Sequence, residues 1–387
     1  MSDTDVFIIS AVRSAIGLGR EKGALYPLAP VDLAAQVMEA AIRRADIAPK
    51  RIDDVIWGIV TPIGDQGANM ARLAALKAGF PVEVPAVSIN RMCGSSQQAV
   101  HFAAQAILAG DADLVLAGGT EMMSHQTLGA DYPEAWPQDF PYDLVHQGTS
   151  AEMMADKWSL TREEQDDFAF LSHEKAAAAI DAGYFDDQII PLILPSGDPS
   201  TGSGRVFSTD EGVRRPPDRE KMRSLKAVFK ADGTVTAGNA SQISDGAGAL
   251  LLASAEAVGR YNLMPIARVL TRTAVGTDPI LALDGTIAAT RKVLEMTNGL
   301  TLDDMDLIEI NEAFASVVLA WAKELDANME KVNVNGGAIA HGHPLGATGA
   351  ILMTKLVHEM QRRQARFGLQ TMCIGHGMAT ATILERV

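Results

Sequence analysis

The sequence predicts an α/β protein whose core uses one strand–helix unit twice, and three observations carry that expectation. Apolar β-branched runs alternate with stretches of helical periodicity, the pattern of parallel sheets covered by helices. The C-terminal part repeats the order and spacing of the N-terminal part. The middle, residues 121–244, follows neither pattern.

Strand-like runs lie at Val6–Ile9, Val55–Val60, Val87–Ile89 and Leu114–Leu116. Between them, Pro30–Asp46 places apolar residues at three- and four-residue spacing, and Asn69–Gly79 and Ser95–Gly110 read as helices too. In the C-terminal part, helix Thr286–Thr297 leads through an acidic turn to strand Leu307–Ile310, as helix Leu33–Arg44 leads to the strand at Val55. Val332-Asn-Val-Asn335 then stands where Val87-Ser-Ile-Asn90 stands in the first copy. The former opens into the glycine-rich run Gly336–Gly349, the latter into Cys93 and a helix of small residues. The middle holds Trp136, five prolines from Pro133 to Pro195 and a polar stretch, Pro195–Arg205. It reads as an insertion over one face of the core, and long insertions of this kind usually carry binding function.

Composition sets the outer limits. A chain of 387 residues allows two or three domains of about 150 residues each. Hydrophobic residues at 47% supply a large core and exclude general disorder. Lys and Arg number 33 against 48 Asp and Glu, a net charge of −15, which argues against nucleic acid as partner. The segment Arg205–Lys230 runs against that balance, with eight basic residues and four acidic ones. It reads either as a solvated loop or as a seat for a phosphorylated ligand. Two cysteines cannot form a disulfide framework, so both read as thiols in a reducing compartment. No basic segment followed by an apolar run opens the sequence, so no secretory signal is expected. The longest apolar stretch, Ala247–Ala255, is shorter than the ~20 residues of a membrane span. A cytoplasmic protein is expected.

Four clusters could carry chemistry. Cys93 lies where a strand ends and a helix begins near Ser95. Free N–H groups and the positive end of a helix dipole favour a thiolate there, although a free cysteine can also be simple packing. His343, pinned by Pro344 within the glycine-rich run, can accept a thiol proton. Cys373 sits between a strand and glycines, in Thr371-Met-Cys373-Ile-Gly375-His376. Asn311 and Glu312 follow a strand directly, as hydrogen-bonding groups of a cleft or as a helix N-cap. A rival assembly takes His341, His343, Cys373 and His376 as a zinc set, but it leaves Cys93 and Asn311 without a role. No metal is expected.

Taken in order, Cys93-Gly-Ser95, Asn311-Glu-Ala-Phe314, Gly342-His-Pro344 and Cys373-Ile-Gly375 resemble the motifs of the thiolase family, the acetyl-CoA acyltransferases. Ala11–Gly17, Gly118–Ser124 and Gly238–Gly246 fit as well, so the likeness covers essentially the whole chain. The resemblance implies two βαβαβαββ halves in a five-layer α-β-α-β-α arrangement, with a loop domain inserted in the first. The boundaries expected are 1–120, completed by 245–265, for the first half, 121–244 for the loop domain and 266–387 for the second half.

The resemblance also implies a ping-pong reaction through an acyl-Cys93 intermediate. His343 takes the thiol proton, and with a water held by Asn311 it stabilises the enolate of the leaving acetyl-CoA. Cys373 protonates that enolate, and the N–H groups of Cys93 and Gly375 form a second oxyanion hole. His146 and Ser241 are placed beside the thioester and pantetheine. Among the basic residues of 205–230, Arg219, Lys221, Arg223 and Lys226 are the candidates for the CoA phosphates. Coenzyme A enters as substrate, and no tightly bound cofactor is implied. A homodimer or homotetramer is implied, with docking to a hydratase–dehydrogenase subunit known for some members.

Several positions depart from the usual pattern, among them Asp284-Gly-Thr286, which replaces a stretch that often reads Gly-Pro. Gln147 replaces a common Met, His341 a common aliphatic residue, and His376 a glycine or aliphatic residue. His341 is expected to pack rather than to tune His343. The reading at this point is a degradative 3-ketoacyl-CoA thiolase of fatty-acid or sterol side-chain β-oxidation. The alternatives are a biosynthetic acetoacetyl-CoA thiolase, a ketoacyl synthase on the same fold and a non-catalytic acyl-CoA-binding protein. The intact Cys373-Ile-Gly375 argues against the synthase.

Overall fold

The computed structural model describes residues 5–195 and 205–387. Most of the polar stretch Pro195–Arg205 therefore lies outside the described residues. The chain begins with β1 (Val6–Ser14), β2 (Gly17–Leu18), α1 (Pro30–Arg44), β3 (Asp54–Gly58), α2 (Met70–Lys77), β4 (Ala86–Ile89), α3 (Ser95–Ala109) and β5 (Leu114–Met122). Next come α4 (Gln147–Lys157), α5 (Arg162–Asp181), β6 (Ile189–Ile190), β7 (Leu192–Leu194), β8 (Arg205–Phe207) and α6 (Arg219–Arg223). The core resumes with β9 (Ser244–Ser254), α7 (Ala255–Tyr261), β10 (Ala267–Gly276), α8 (Gly285–Glu295) and β11 (Leu307–Ile310). It closes with α9 (Ala315–Leu325), α10 (Ala338–His341), α11 (Thr348–Arg363), β12 (Phe367–Ile374) and β13 (Met378–Arg386).

The main strands run β11-β12-β13-β10-β1-β9-β5-β3-β4. Read outward from its first strand, the N-terminal set is β1-β9-β5-β3-β4, with two antiparallel pairings followed by two parallel ones. The C-terminal set, β10-β13-β12-β11, repeats that order and those directions. The two sets meet only where β1 touches β10, at Phe7↔Arg268 and Ile8↔Ala267. The duplication read from spacing is thus present in the topology.

One expected strand is missing. Val332-Asn-Val-Asn335 makes a single bridge, Val332 to Ile308, instead of a fifth strand. Asn333 has a φ of 44°, which turns the chain away from β11. Its carboxamide replaces the lost pairing: Oδ1 accepts from the Ile310 N–H at 2.9 Å and Nδ2 donates to the Ile310 carbonyl at 2.9 Å.

The layers follow from strand alternation. Phe7, Trp57, Leu116 and Leu251 face one way and pack with α1 and α2. Their neighbours Ile8, Ile56, Val115, Leu250 and Leu252 face the other way, against α3 and α11. On the second sheet, Ile308, Leu369, Ala381 and Ile383 pack with α8 and α9. Helices α3 and α11 therefore form a middle layer between two sheets, giving five layers. A helix so enclosed must satisfy its polar side chains internally. Gln97 of α3 donates to Thr382 Oγ1 at 2.8 Å and accepts from Thr380 Oγ1 at 2.8 Å. His101 reaches the same Thr382 hydroxyl at 2.7 Å.

The middle segment is tied to the core by a buried ion pair. Asp210 takes both guanidinium arms of Arg13 on β1, at 2.8 and 3.0 Å, and also bonds His341 Nδ1 at 2.8 Å. Removing one partner of such a pair strands a buried charge, which is the costly case.

Candidate active site

Cys93 ends the turn between β4 and α3, and α3 starts at Ser95. Met92 holds a φ of 45°, an unusual backbone state that swings the next residue out of the strand direction. Ser95 locks the turn: its hydroxyl donates to the Met92 carbonyl at 2.6 Å and accepts the Arg91 N–H at 2.9 Å. The Cys93 sulfur is buried and faces the backbone N–H groups of Gly375 and of Cys93 itself. Burial outweighs those donors and pushes the thiol up to about 11. The expectation of a depressed pKa fails here, because desolvation of a thiolate exceeds what two N–H groups return.

Cys373 lies near the end of β12, buried, two residues before Gly375. Burial raises its pKa, and the neighbouring Cys93 raises it further. The two sulfurs therefore share one region, and neither is ionised at neutral pH.

Asn311 follows β11 and is fixed through its N–H to the Thr371 carbonyl at 3.1 Å. It is not an N-cap, since α9 begins later and is led by Phe314. Its Nδ2 lies 3.2 Å from His343 Nε2, and its Oδ1 is buried with no protein partner. Burial lowers His343 to about 4, so the imidazole is neutral. Next to Asn311, Glu312 acts structurally. It accepts from Ser172 Oγ at 2.6 Å, Asn333 Nδ2 at 2.9 Å and the Ile339 N–H at 3.1 Å.

Close packing brings these segments together. A Cβ on Gly58 would lie 2.6 Å from the Ser96 nitrogen and 2.8 Å from the Gly346 carbonyl oxygen. No side chain fits there, so the His343 loop rests directly on the first turn of α3. Glu121 holds the same loop. It is buried, it accepts from Val60, Thr61, Gln66 and Gly346, and burial raises its pKa. Glu121 belongs to the Gly118–Ser124 stretch, whose pattern alone assigns it no task. A lone carboxylate inside the apolar strand β5 was the available signal.

A cavity of about 450 Å³ is lined by Leu128, Tyr132, Trp136, His146, Gln147 and His376 among others. His146 caps α4 through its Nδ1, 3.0 Å from the Gly148 N–H, and stacks on Phe229 at 5.1 Å. His376 holds a φ of 63° and lies 5.9 Å from the Tyr132 ring and 6.0 Å from that of Trp136. Tyr132 is raised by burial and by the nearby Cys93.

The family model described as thiolase, N-terminal domain, matches residues 6–256, and that described as thiolase, C-terminal domain, matches 263–386. The chain belongs to the thiolase family. It is 46% identical to the steroid 3-ketoacyl-CoA thiolase of Mycobacterium tuberculosis, with 99% of this chain and 95% of that one covered. It is 44% identical to the acetyl-CoA acetyltransferase of Chromobacterium violaceum, over 99% of this chain and all of that one. The crystal structure of the Bacillus anthracis acetyl-CoA acetyltransferase superposes with a TM-score of 0.91 at 40% identity, over 99% of both chains. Thiolases of this kind are acyltransferases.

The other residues singled out in this thiolase are distributed unevenly. Ser241 borders the Asn311 segment, its N–H bonded to the Ala313 carbonyl at 2.9 Å. Arg219 is paired with Asp167 and lies over Phe170, and Arg223 bonds Glu163 at 2.9 Å. Lys221 and Lys226 are exposed and have no ion-pair partner among the described residues. His341 uses both ring nitrogens, on Asp210 and on the Asn335 carbonyl, and packs on Phe185 at 5.2 Å. That leaves neither nitrogen free for a metal. No group of three or more His, Cys, Asp or Glu side chains among the described residues is arranged to hold one. No helix among them is long and apolar enough to cross a membrane.

Proposed function

We propose that this thiolase cleaves 3-ketoacyl-CoA with coenzyme A, giving acetyl-CoA and an acyl-CoA shortened by two carbons. The observations that support the reading are the Cys93 sulfur with two N–H groups aimed at it and Cys373 beside it, together with the Asn311–His343 pair. In the first half-reaction the Cys93 sulfur bonds to the ketone carbon while its proton passes to His343. The C2–C3 bond then breaks. Its electron pair becomes the enolate of acetyl-CoA, and Cys373 delivers a proton to the enolate carbon. In the second half, CoA gives its thiol proton to Cys373 and attacks the acyl-Cys93 thioester; the shortened acyl-CoA is released, and His343 returns its proton to the departing Cys93 sulfur. Preorganised donors at the two oxyanions are each worth about 2.7–4 kcal/mol of barrier in comparable enzymes.

The resting pair is neutral, with Cys93 near 11 and His343 near 4. Proton transfer from Cys93 to His343 is therefore part of the first half-reaction.

The insertion, 121–244, is the binding unit for CoA and the acyl group. His146 and Ser241 contact the thioester and pantetheine arm. Lys221 and Lys226 are better candidates for the CoA phosphates than Arg219 and Arg223, whose charges are already paired. Coenzyme A is a substrate, and no tightly bound cofactor takes part. A homodimer or homotetramer is supported by the apolar residues left exposed around edge strand β4, among them Leu73, Val82 and Val87. Docking to a hydratase–dehydrogenase subunit and a cytoplasmic location complete the proposal.

The degradative direction, with a fatty-acyl or sterol side-chain substrate, is favoured by the aromatic cavity and by the steroid 3-ketoacyl-CoA thiolase among the relatives. A chain-length profile of thiolysis tests it. Rates that favour medium, long or ring-bearing 3-ketoacyl-CoA over acetoacetyl-CoA are expected. Strong preference for acetoacetyl-CoA would replace this reading with the biosynthetic one, the activity named for the Chromobacterium violaceum relative.

A further inference from the structure

The hydroxyl of Thr348 fixes the protonation state of His343, and we infer that it is a positioning residue for the proton transfer from Cys93. Thr348 is the first residue of α11 and is buried. Its Oγ1 lies 2.8 Å from the Pro344 carbonyl oxygen and 2.6 Å from His343 Nδ1.

A hydroxyl has one proton, and the Pro344 carbonyl can only accept. The Pro344 carbonyl also accepts the Ala347 and Thr348 N–H groups, at 2.9 and 3.0 Å, so the deciding contact is the Asn311 NH₂ that faces Nε2 at 3.2 Å: Nε2 is the acceptor there, and the hydroxyl proton goes to Pro344. The remaining contact requires His343 Nδ1 to carry hydrogen and donate it to Thr348. Burial keeps the ring neutral, so a ring protonated at Nδ1 has a bare Nε2. Asn311 donates to that bare nitrogen across the 3.2 Å contact. Its Oδ1 is left over, which accounts for the buried oxygen without a protein partner.

One hydroxyl thus orients a relay of four groups: Pro344 carbonyl, Thr348, His343 and Asn311. The relay ends on a nitrogen that can accept a proton. Without the hydroxyl, the neutral ring is free to carry its hydrogen on Nε2, and a nitrogen already protonated cannot take the proton of Cys93. Thr348 touches neither substrate nor sulfur and acts only through His343.

This inference rests on His343 as the base, and the test separates the two claims. Nitrogen-15 NMR of histidine-labelled enzyme, with His343→Gln for assignment, should show His343 in the Nδ1–H form. In Thr348→Val the signal should move toward the Nε2–H form. Thiolysis kcat should fall about 10- to 100-fold, the usual loss when an orienting partner of a functional imidazole is removed. KM for CoA should hold, and Thr348→Ser should restore both signal and rate. Alkylation of Cys93 by iodoacetamide at pH 7 should slow in the valine variant and recover in the serine variant. An Nε2–H ring in the unmodified enzyme, or an unchanged kcat in a folded Thr348→Val, overturns the inference. Near-normal turnover by His343→Ala would instead remove the reading of His343 as base, whatever the tautomer.

Discussion

In the N-terminal half, α3 starts directly at the turn after β4, and Cys93 sits in that turn. In the C-terminal half the equivalent strand is gone, and a glycine-rich stretch carrying His343 leads into α11. A second contrast lies at the far end of each unit. Between β5 and β9 the first half carries a long insertion, whose residues 128–147 supply most of the cavity wall. Between β12 and β13 the second half has only Gly375-His376-Gly377, with one N–H on the Cys93 sulfur and one ring in the cavity wall. The strand order is common to both halves, whereas Cys93 and His343 lie in segments where they differ. A duplicated scaffold therefore supplies two helix starts and two strand ends at one locus, and chemistry arises from how differently those ends are finished.

The sharpest way to break the comparison is to remove the N-terminal contribution. Cys93→Ala should lower thiolysis by at least about 10⁴-fold while CoA binding, followed by calorimetry, survives. Near-full activity in that variant would remove the mechanism. Removing the C-terminal contribution at Asn311 should cost less. Asn311→Ala is expected to reduce kcat about 10²–10³-fold, the usual loss of an oxyanion donor.

Glu121 is the strap between the halves, binding Gly346 of one to Val60 and Thr61 of the other. Glu121→Ala leaves several buried donors unpaired. It should lower unfolding free energy by about 1–3 kcal/mol, read by urea titration, together with a fall in kcat. Loss of stability with kcat intact would show that the His343 loop holds its place without the strap.

Acid titration reads the middle layer. His101 is pushed down to about 3 by burial, then by Arg272 and Arg91, and His343 is at about 4. Both folded values lie below the ~6.5 of an unfolded histidine. The unfolded chain therefore binds more protons as pH falls. The stabilisation is complete above about pH 6.5 and is lost toward pH 4, at up to about 1.4 kcal/mol per histidine per pH unit. Asp245, raised by burial to about 6, works in the opposite sense below pH 6. The melting temperature should drop between pH 7 and pH 5, and His101→Gln should drop less steeply. An identical slope would place the titration elsewhere.

The smallest effect is expected in the cavity wall. His376 occupies a left-handed position that glycine adopts freely, so His376→Gly should fold normally. Loss of its contacts with Tyr132 and Trp136 should raise KM for ring-bearing acyl-CoA about three- to tenfold. Acetoacetyl-CoA should be little affected.

Local pattern made much of the fold legible. Helix α1 has Leu33, Val37 and Ala41 on one buried face, and α3 begins at the serine where the small-residue run predicts it. The strand at 332–335 misled because nothing local distinguishes an asparagine that bonds as a side chain from one that extends. The Cys93 turn was readable, but its pKa was not, since burial depends on segments more than two hundred residues away. The basic run was visible as charge, yet the acids that occupy Arg219 and Arg223 lie on α5. Thr348 and Glu121 stayed silent for the same reason. Their tasks consist in which donors remain unpaired around them, and only the assembled layers decide that.

Cys93 and His343 each lie just ahead of one of the two enclosed helices. Their separation is therefore set by how those helices seat against each other, and neither loop can adjust it alone. Warming that loosens this contact should silence turnover while both sheets still give a native circular-dichroism spectrum, so inactivation would precede melting.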